Sequence, residues 1–218
     1  LFFAVLRDFL YQFKNNVATA EDFRRILEEK TKISFSDFFN QWYYGEGFPS
    51  ITVNWKHQHD TLYISSFLTT STNVTPLFNI LTDYKIILST YDTIISHRQV
   101  SNYDEWQIYL PGNVSSIKVD PKKWLILNVD SINNLSTYKA QERFYVAPNP
   151  AKNKVRIFYD NPAFDGPVYL IDAMGRIKLI QETDEFPFEL NISGINDGSY
   201  FVLIKDGNYL YTSKFIKH

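Results

Sequence analysis

Across Ser34–Pro49, SFSDFFNQWYYGEGFP, the spacing of apolar residues changes from helical to alternating. Before it they recur every three or four positions, which places them on one helix face. After it they alternate, which places them on one face of a strand. No single regular element accommodates both periods, so this stretch is a junction and the chain must be helical first and β afterwards. Ser34 and Asp37 stand at capping-box spacing. Phe35, Phe38, Phe39 and Trp42 recur at helical spacing, which predicts one apolar helix face. Gly45 is the expected stop, because glycine takes the left-handed conformation at little cost. Gly47 and Pro49 then prevent the helix from resuming. Taken alone, such a capped amphipathic helix names no function.

The chain opens on LFFAVLRDFLYQF. This run is too short to span a bilayer and carries Arg7 and Asp8. It lacks the basic start and small-residue cleavage site of a signal peptide. It reads as the inside of a helix, and the chain is expected to be the C-terminal piece of a longer protein. Phe2, Leu6, Phe9, Leu10 and Phe13 form its stripe. Thr19 and Asp22 open a second helix by a capping-box pattern, with Phe23, Ile26 and Leu27 facing inward. Three short helices this rich in Phe cannot bury themselves alone. They are expected to pack on the β region or on a larger helical domain.

From Ile51 the strand candidates are 51–55, 62–64, 77–81, 84–88, 93–96, 105–110, 116–119 and 124–129, separated by turn signals such as His59-Asp60 and Pro111-Gly112-Asn113. That spacing predicts an antiparallel sandwich. Asp130–Thr137 is polar and reads as a linker. A second set, 155–159, 168–171, 177–180, 188–190, 200–204 and 210–215, has Asp-Gly turns that mark hairpins. The fold class expected is mainly β with a short α-helical N-terminal segment and two antiparallel Ig-like or fibronectin-like β-sandwiches in tandem. The boundaries are 1–48 helical, 50–132 first sandwich, 133–142 linker and 143–218 second sandwich.

Chemistry is harder to find. The 218 residues carry 22 basic and 24 acidic side chains, a balance of −2 that recruits neither nucleic acid nor an anionic membrane. There is no cysteine, which excludes disulfides and thiolate metal sites. HExxH, a Gly-rich phosphate loop and GxSxG are absent from the sequence. His57 and His59 share a strand face if the strand continues, with Asp60 beside them and His97 as the distant donor considered. Zinc normally takes a further protein ligand, and a polar strand end is the simpler account. Glu46 beside Tyr43 and Tyr44 is either an acid–base group or a solvated carboxylate at a helix end. Tyr63, Tyr91, Tyr103, Trp106 and Tyr109 are either sugar-stacking platforms or core and interface aromatics. No catalytic, cofactor-binding or metal-binding residue is assigned.

Two resemblances add to this. TAEDFRRILEEKTKISFSDFFNQWYYGEGFP, then ITVNW and a sandwich, resembles the C-terminal part of zinc peptidases of the aminopeptidase N family. Trp42, Gly47 and Pro49 match the helix end and turn that close the thermolysin-like catalytic domain there. Asp120-Pro121 with Trp124 and Leu125 matches the usual end of the sandwich that follows. The resemblance implies a catalytic domain upstream in the same chain, holding zinc through HExxH and a distal glutamate. It implies no catalysis and no cofactor in the residues present here.

The second resemblance is more specific. VAPNPAKNKVRIFY, VYLIDAMGR, GINDGSYFVLI and the terminal KFIKH resemble the C-terminal sorting domain of the type IX secretion system of Bacteroidetes. Pro148, Asn149, Pro150, Asp172, Gly175, Arg176, Gly198, Tyr200, Lys214 and Lys217 stand at that family's motif positions. The resemblance implies export across the outer membrane, with the secretion machinery as partner, a secreted or cell-surface location and, commonly, removal of the domain after export. The last strand and basic end are expected to face the translocon. Asp60-Thr-Leu, Asp92-Thr-Ile and Asp130-Ser-Ile also fit a three-residue O-glycosylation pattern of these bacteria. The alternative function is an adhesin-like or carbohydrate-binding tail on another secreted enzyme.

Overall fold

The computed structural model describes residues 1–136, 144–161 and 163–218. Three helices come first: α1 (Phe2–Gln12), α2 (Ala20–Thr31) and α3 (Ser36–Phe38), the last running into a π-helical turn at Phe39–Tyr43. α2 obeys its local signal. Thr19 Oγ1 accepts the Asp22 N–H at 3.2 Å, and the Asp22 carboxylate accepts the Thr19 N–H at 2.9 Å. Val5, Ile26, Leu27 and Phe39 form the buried helical cluster, with Phe9, Phe13 and Phe23 packed around it. Phe2 and Leu10, expected on the α1 stripe, face outward instead. One short partner helix covers only a narrow part of so broad an apolar surface.

The junction differs from the single capped helix expected. Ser34 makes no cap across three residues; its hydroxyl bonds that of Ser36, while Asp37 accepts from Asn79 Nδ2 at 3.0 Å. The Tyr44 N–H donates to the Phe39 carbonyl five residues back at 2.8 Å. This wider turn shifts the helical register and splits the aromatic face in two. Phe39 points into the helical cluster. Trp42 points the other way and packs on Phe78 of the β core, with ring centroids 4.6 Å apart. Gly45 stops the helix for a steric reason rather than by a left-handed backbone, because a Cβ there would lie 2.4 Å from the Gln41 carbonyl oxygen and 2.5 Å from Thr75 Oγ1.

The first sandwich holds β1 (Pro49–Gln58), β2 (Thr61–Thr70), β3 (Ile80–Leu88), β4 (Asp92–Gln99), β5 (Tyr103–Tyr109), β6 (Val114–Val119) and β7 (Asn128–Asn134). One sheet has the order β5-β2-β1-β7 and the other β4-β3-β6. Ile51, Val53 and Trp55 meet Phe78, Tyr84 and Ile86 between them. Residues 77–81 and 84–88, expected as two strands, are largely one: β3 runs through Thr82, whose side chain is buried between its apolar neighbours. Residues 124–127 are not strand. The Asp120 carboxylate accepts the N–H groups of Trp124 and Leu125 at 3.0 Å, which closes a turn with Trp124 in solvent.

The polar stretch expected as linker is strand as far as Asn134. β7 pairs parallel to β1, the one parallel pair in an otherwise antiparallel arrangement of described strands. Its polar composition is explained by its surroundings. Ile132 packs on the core, and Asn133 Nδ2 donates to Asn54 Oδ1 at 2.9 Å. The rest of the expected linker, 137–142, and the expected module start at Arg143 lie outside the described residues.

The second sandwich holds β8 (Phe144–Ala147), β9 (Lys154–Tyr159), β10 (Gly166–Asp172), β11 (Ile177–Thr183), β12 (Phe188–Asn191), β13 (Gly198–Asp206) and β14 (Tyr209–Lys217). Its sheets are β11-β10-β13-β14 and β12-β9-β8. Val155, Ile157, Leu170, Val202, Ile204 and Phe215 are among its core residues. The chain is thus mainly β, with two sandwich-like sheet pairs in tandem after a short helical start.

Candidate functional site

The residues singled out in the second sandwich fall into three groups. In the first, Asn149 acts as a piece of strand. Its Nδ2 donates to the Lys214 carbonyl at 3.1 Å, and its Oδ1 accepts the Ile216 N–H at 3.0 Å. The main chain continues the pairing: Ala151 N–H donates to Ile216 O at 2.7 Å and His218 N–H to Ala151 O at 3.0 Å. Pro148 and Pro150 flank the side chain that does this. β14 is therefore paired by β13 on one side and sealed by 149–151 on the other, so its end is not an open edge.

The second group is the turn Asp172–Arg176. Asp172 Oδ1 accepts the N–H groups of Met174 at 2.9 Å and Arg176 at 3.0 Å, while Oδ2 accepts Arg176 Nε at 2.9 Å. Lys178 Nζ lies 3.3 Å away. Burial of Asp172 would raise its pKa, but the backbone and guanidinium bonds from Arg176, the Met174 N–H and Lys178 outweigh it. They hold the carboxyl below its ordinary value. Gly175 has φ +74°, a conformation open to glycine.

In the third group, Tyr200 is buried, stacks on Phe215 at 5.8 Å and donates its hydroxyl to the Asn196 carbonyl at 2.8 Å. Gly198 pairs with Lys217 across β13 and β14. Lys217 itself is buried, its Nζ held 3.0 Å from Asp197 Oδ1. It fastens the fold rather than projecting a charge. Lys214 is exposed, with its ammonium over the Phe201 ring at 5.9 Å.

At the Asp172–Arg176 turn the second sandwich also meets residues of the first, and of these only Tyr103 stands among the aromatics expected in a core or interface. The Tyr103 N–H donates to the Gly175 carbonyl at 3.1 Å, joining the two sandwiches. A Cβ on Gly175 would lie 2.1 Å from the Tyr103 carbonyl oxygen. Around this contact Phe67 and Tyr103 pack with Ile171, Leu203 and Leu210, with Tyr169, Ile177 and Phe201 beside them. Asn54 Nδ2 donates to the Leu210 carbonyl at 3.0 Å. A signal was present: Tyr200–Ile204 is a continuous apolar run, and a strand apolar on both faces is covered on both faces.

The remaining candidates do not converge. His57 Nε2 is hydrogen-bonded to the Leu110 carbonyl at 2.9 Å, and His59 sits in the β1–β2 turn at φ 51°. They therefore do not share a strand face. His97 pairs with Asp104 at 2.7 Å and stacks on Trp106, well away in the chain from both. Among the described residues no group of three metal-ligating side chains meets. Tyr103 is buried and Trp106 partly so, leaving Tyr63, Tyr91 and Tyr109 exposed. Glu46 accepts a weak bond from Thr72 Oγ1 at 3.4 Å. A shallow concavity on the helices is lined by Phe9, Phe23, Phe38, Phe39 and Tyr43 and has no acid–base pair. No helix among the described residues is long and apolar enough to cross a membrane.

Residues 145–218 match the family described as secretion system C-terminal sorting domain. No curated protein matches the chain. The matched segment begins one residue into β8 and ends at the last residue of the chain, so it takes in the second sandwich and all three groups above. The chain carries a type IX sorting domain, the type IX secretion machinery is its partner, and the protein is exported to the cell surface or the medium.

Proposed function

With an export module at its end, we propose that this chain is the non-catalytic C-terminal region of a secreted zinc aminopeptidase. In this reading residues 1–48 are the end of the catalytic domain and 50–132 an accessory sandwich that buttresses it. Residues 143–218 are the sorting signal that Bacteroidetes cells read and remove. The zinc belongs to the upstream domain and its HExxH motif. The motif residues from Pro148 to Lys217 act in export by building one sealed, folded module, not by chemistry.

The single observation carrying the peptidase half is the junction. Trp42 leaves the helical cluster to close one end of the sandwich core on Phe78, and Gln41 Oε1 accepts the Asn79 N–H at 2.7 Å. Gly47, at φ +86°, then turns the chain into β1. Helices fixed this firmly to a sandwich, yet leaving Phe2, Phe3 and Leu10 in solvent, fit the edge of a larger helical domain. The coding region upstream of Leu1 tests it. HExxH with a distal glutamate is expected there, and an upstream region lacking both overturns the peptidase reading while leaving export untouched. The sugar-binding alternative then becomes the one to test, by glycan binding at Tyr63 and Tyr109.

A further inference from the structure

The surface that joins the two sandwiches is built like a core. Ile171 and Leu203 are fully buried, Phe67 is 1% exposed and Tyr103 5%. None of these four belongs to the interior cluster of either sandwich. Phe67 meets Tyr169 edge-on at 4.9 Å, and Tyr103 meets Phe201 at 5.8 Å. Polar groups at the seam are satisfied across it. Asn54 binds Leu210 O, Ser131 Oγ donates to Asn208 O at 3.1 Å, and Asn133 Nδ2 donates to the same carbonyl. Lys205 pairs with Asp130 at 2.7 Å. The backbone of Gly175 approaches that of Tyr103 so closely that no side chain fits between.

We propose that the sorting module and the first sandwich form a specific complex that does not need the covalent link between them. The outer face of β10, β13 and β14, with the Asp172–Arg176 turn, is a docking surface whose partner is the outer face of β1, β2, β5 and β7. Cutting the chain between the sandwiches leaves the module bound. Processing and release are then separate steps, and release requires the dock to open. Loosely tethered domains meet through smaller and more polar contacts; a buried aromatic seam crossed by hydrogen bonds is the pattern of a lasting one. The inference deepens the export reading but does not depend on the peptidase one.

The test uses the full chain with a specific protease site placed between residues 137 and 143. After complete cleavage, gel filtration is expected to give one peak at the position of uncut protein, containing both pieces. Two separate peaks overturn the proposal. The variant Leu203→Asp, which puts a charge in the seam and not in either sandwich interior, is expected to split into two peaks after the same cut. If it stays together, the surface assigned is the wrong one. Because the chain has no cysteine, Leu203→Cys gives a second readout that needs no separation. Its thiol is expected to react at least about tenfold more slowly than an exposed one both before and after cleavage, as buried groups in a stable unit do. Fast labelling after the cut overturns the proposal. An export defect would bear on the sorting function and not on this dock.

Discussion

Among single residues, Asp172 gathers several charged and polar partners at one turn of the sorting module. One carboxylate, its side chain 10% exposed, receives two backbone N–H groups, the Arg176 guanidinium and Lys178. Its folded pKa is lowered, so its contribution to stability is fully present above the ordinary Asp value. That contribution fades as pH falls through the lowered folded one. Asp172→Asn keeps one acceptor oxygen and loses the charge. It should destabilise the protein by about 1.5–3 kcal/mol at pH 7, the range for hydrogen bonds to a charged group. The gap to the wild type should narrow at a pH below the ordinary Asp value, where the unfolded carboxylate is protonated and the native one loses its advantage. Denaturant unfolding at the two pH values checks this; a gap that widens on acidification would contradict it. Lys217 shows why single residues were hard to read. A Lys near a chain end is ordinarily solvated, and nothing local announces that Asp197, twenty residues earlier, will hold it inside.

At the scale of the element, the hairpins were legible because their turns are local chemistry. Asp206-Gly207 does join β13 to β14, and His59-Asp60 joins β1 to β2 with both residues at positive φ. The capping box of α2 was legible for the same reason. What escaped depended on partners distant in sequence. β7 looked like linker because its polar side chains Asp130, Ser131 and Asn133 find their partners far away in sequence, at Lys205, Asn208 and Asn54. The π turn at Phe39–Tyr43 was hidden because the sequence spacing of its aromatics fits an ordinary helix just as well. The sealing of β14 by Asn149 belongs to this scale too. Asn149→Ala removes two bonds to β14 and leaves the Ile216 N–H without its partner. The loss expected is about 1 kcal/mol each, or less where water replaces the bond. Hydrogen exchange should quicken at Ile216, and unchanged protection there would show that main-chain pairing alone closes the edge.

For the whole molecule, the tandem order was readable from periodicity, since alternation over two separate blocks of turns permits little else. The arrangement of the blocks was not. It rests on residues such as Phe67 and Leu203, which in sequence look like further core residues and in space face the neighbouring domain. The same arrangement limits what the export machinery meets in the folded chain. The outer face of β10, β13 and β14 is occupied, and the end of β14 is sealed. Residues 145–218 should be what directs export. The location of the protein in a cell with a type IX system, with and without everything after Ser136, decides this. Protease resistance of the retained first sandwich serves as the folding control. The intact protein should reach the cell surface or the medium, and the shortened one should stay inside the outer membrane. Equal export of a folded, shortened protein would show that its address lies elsewhere.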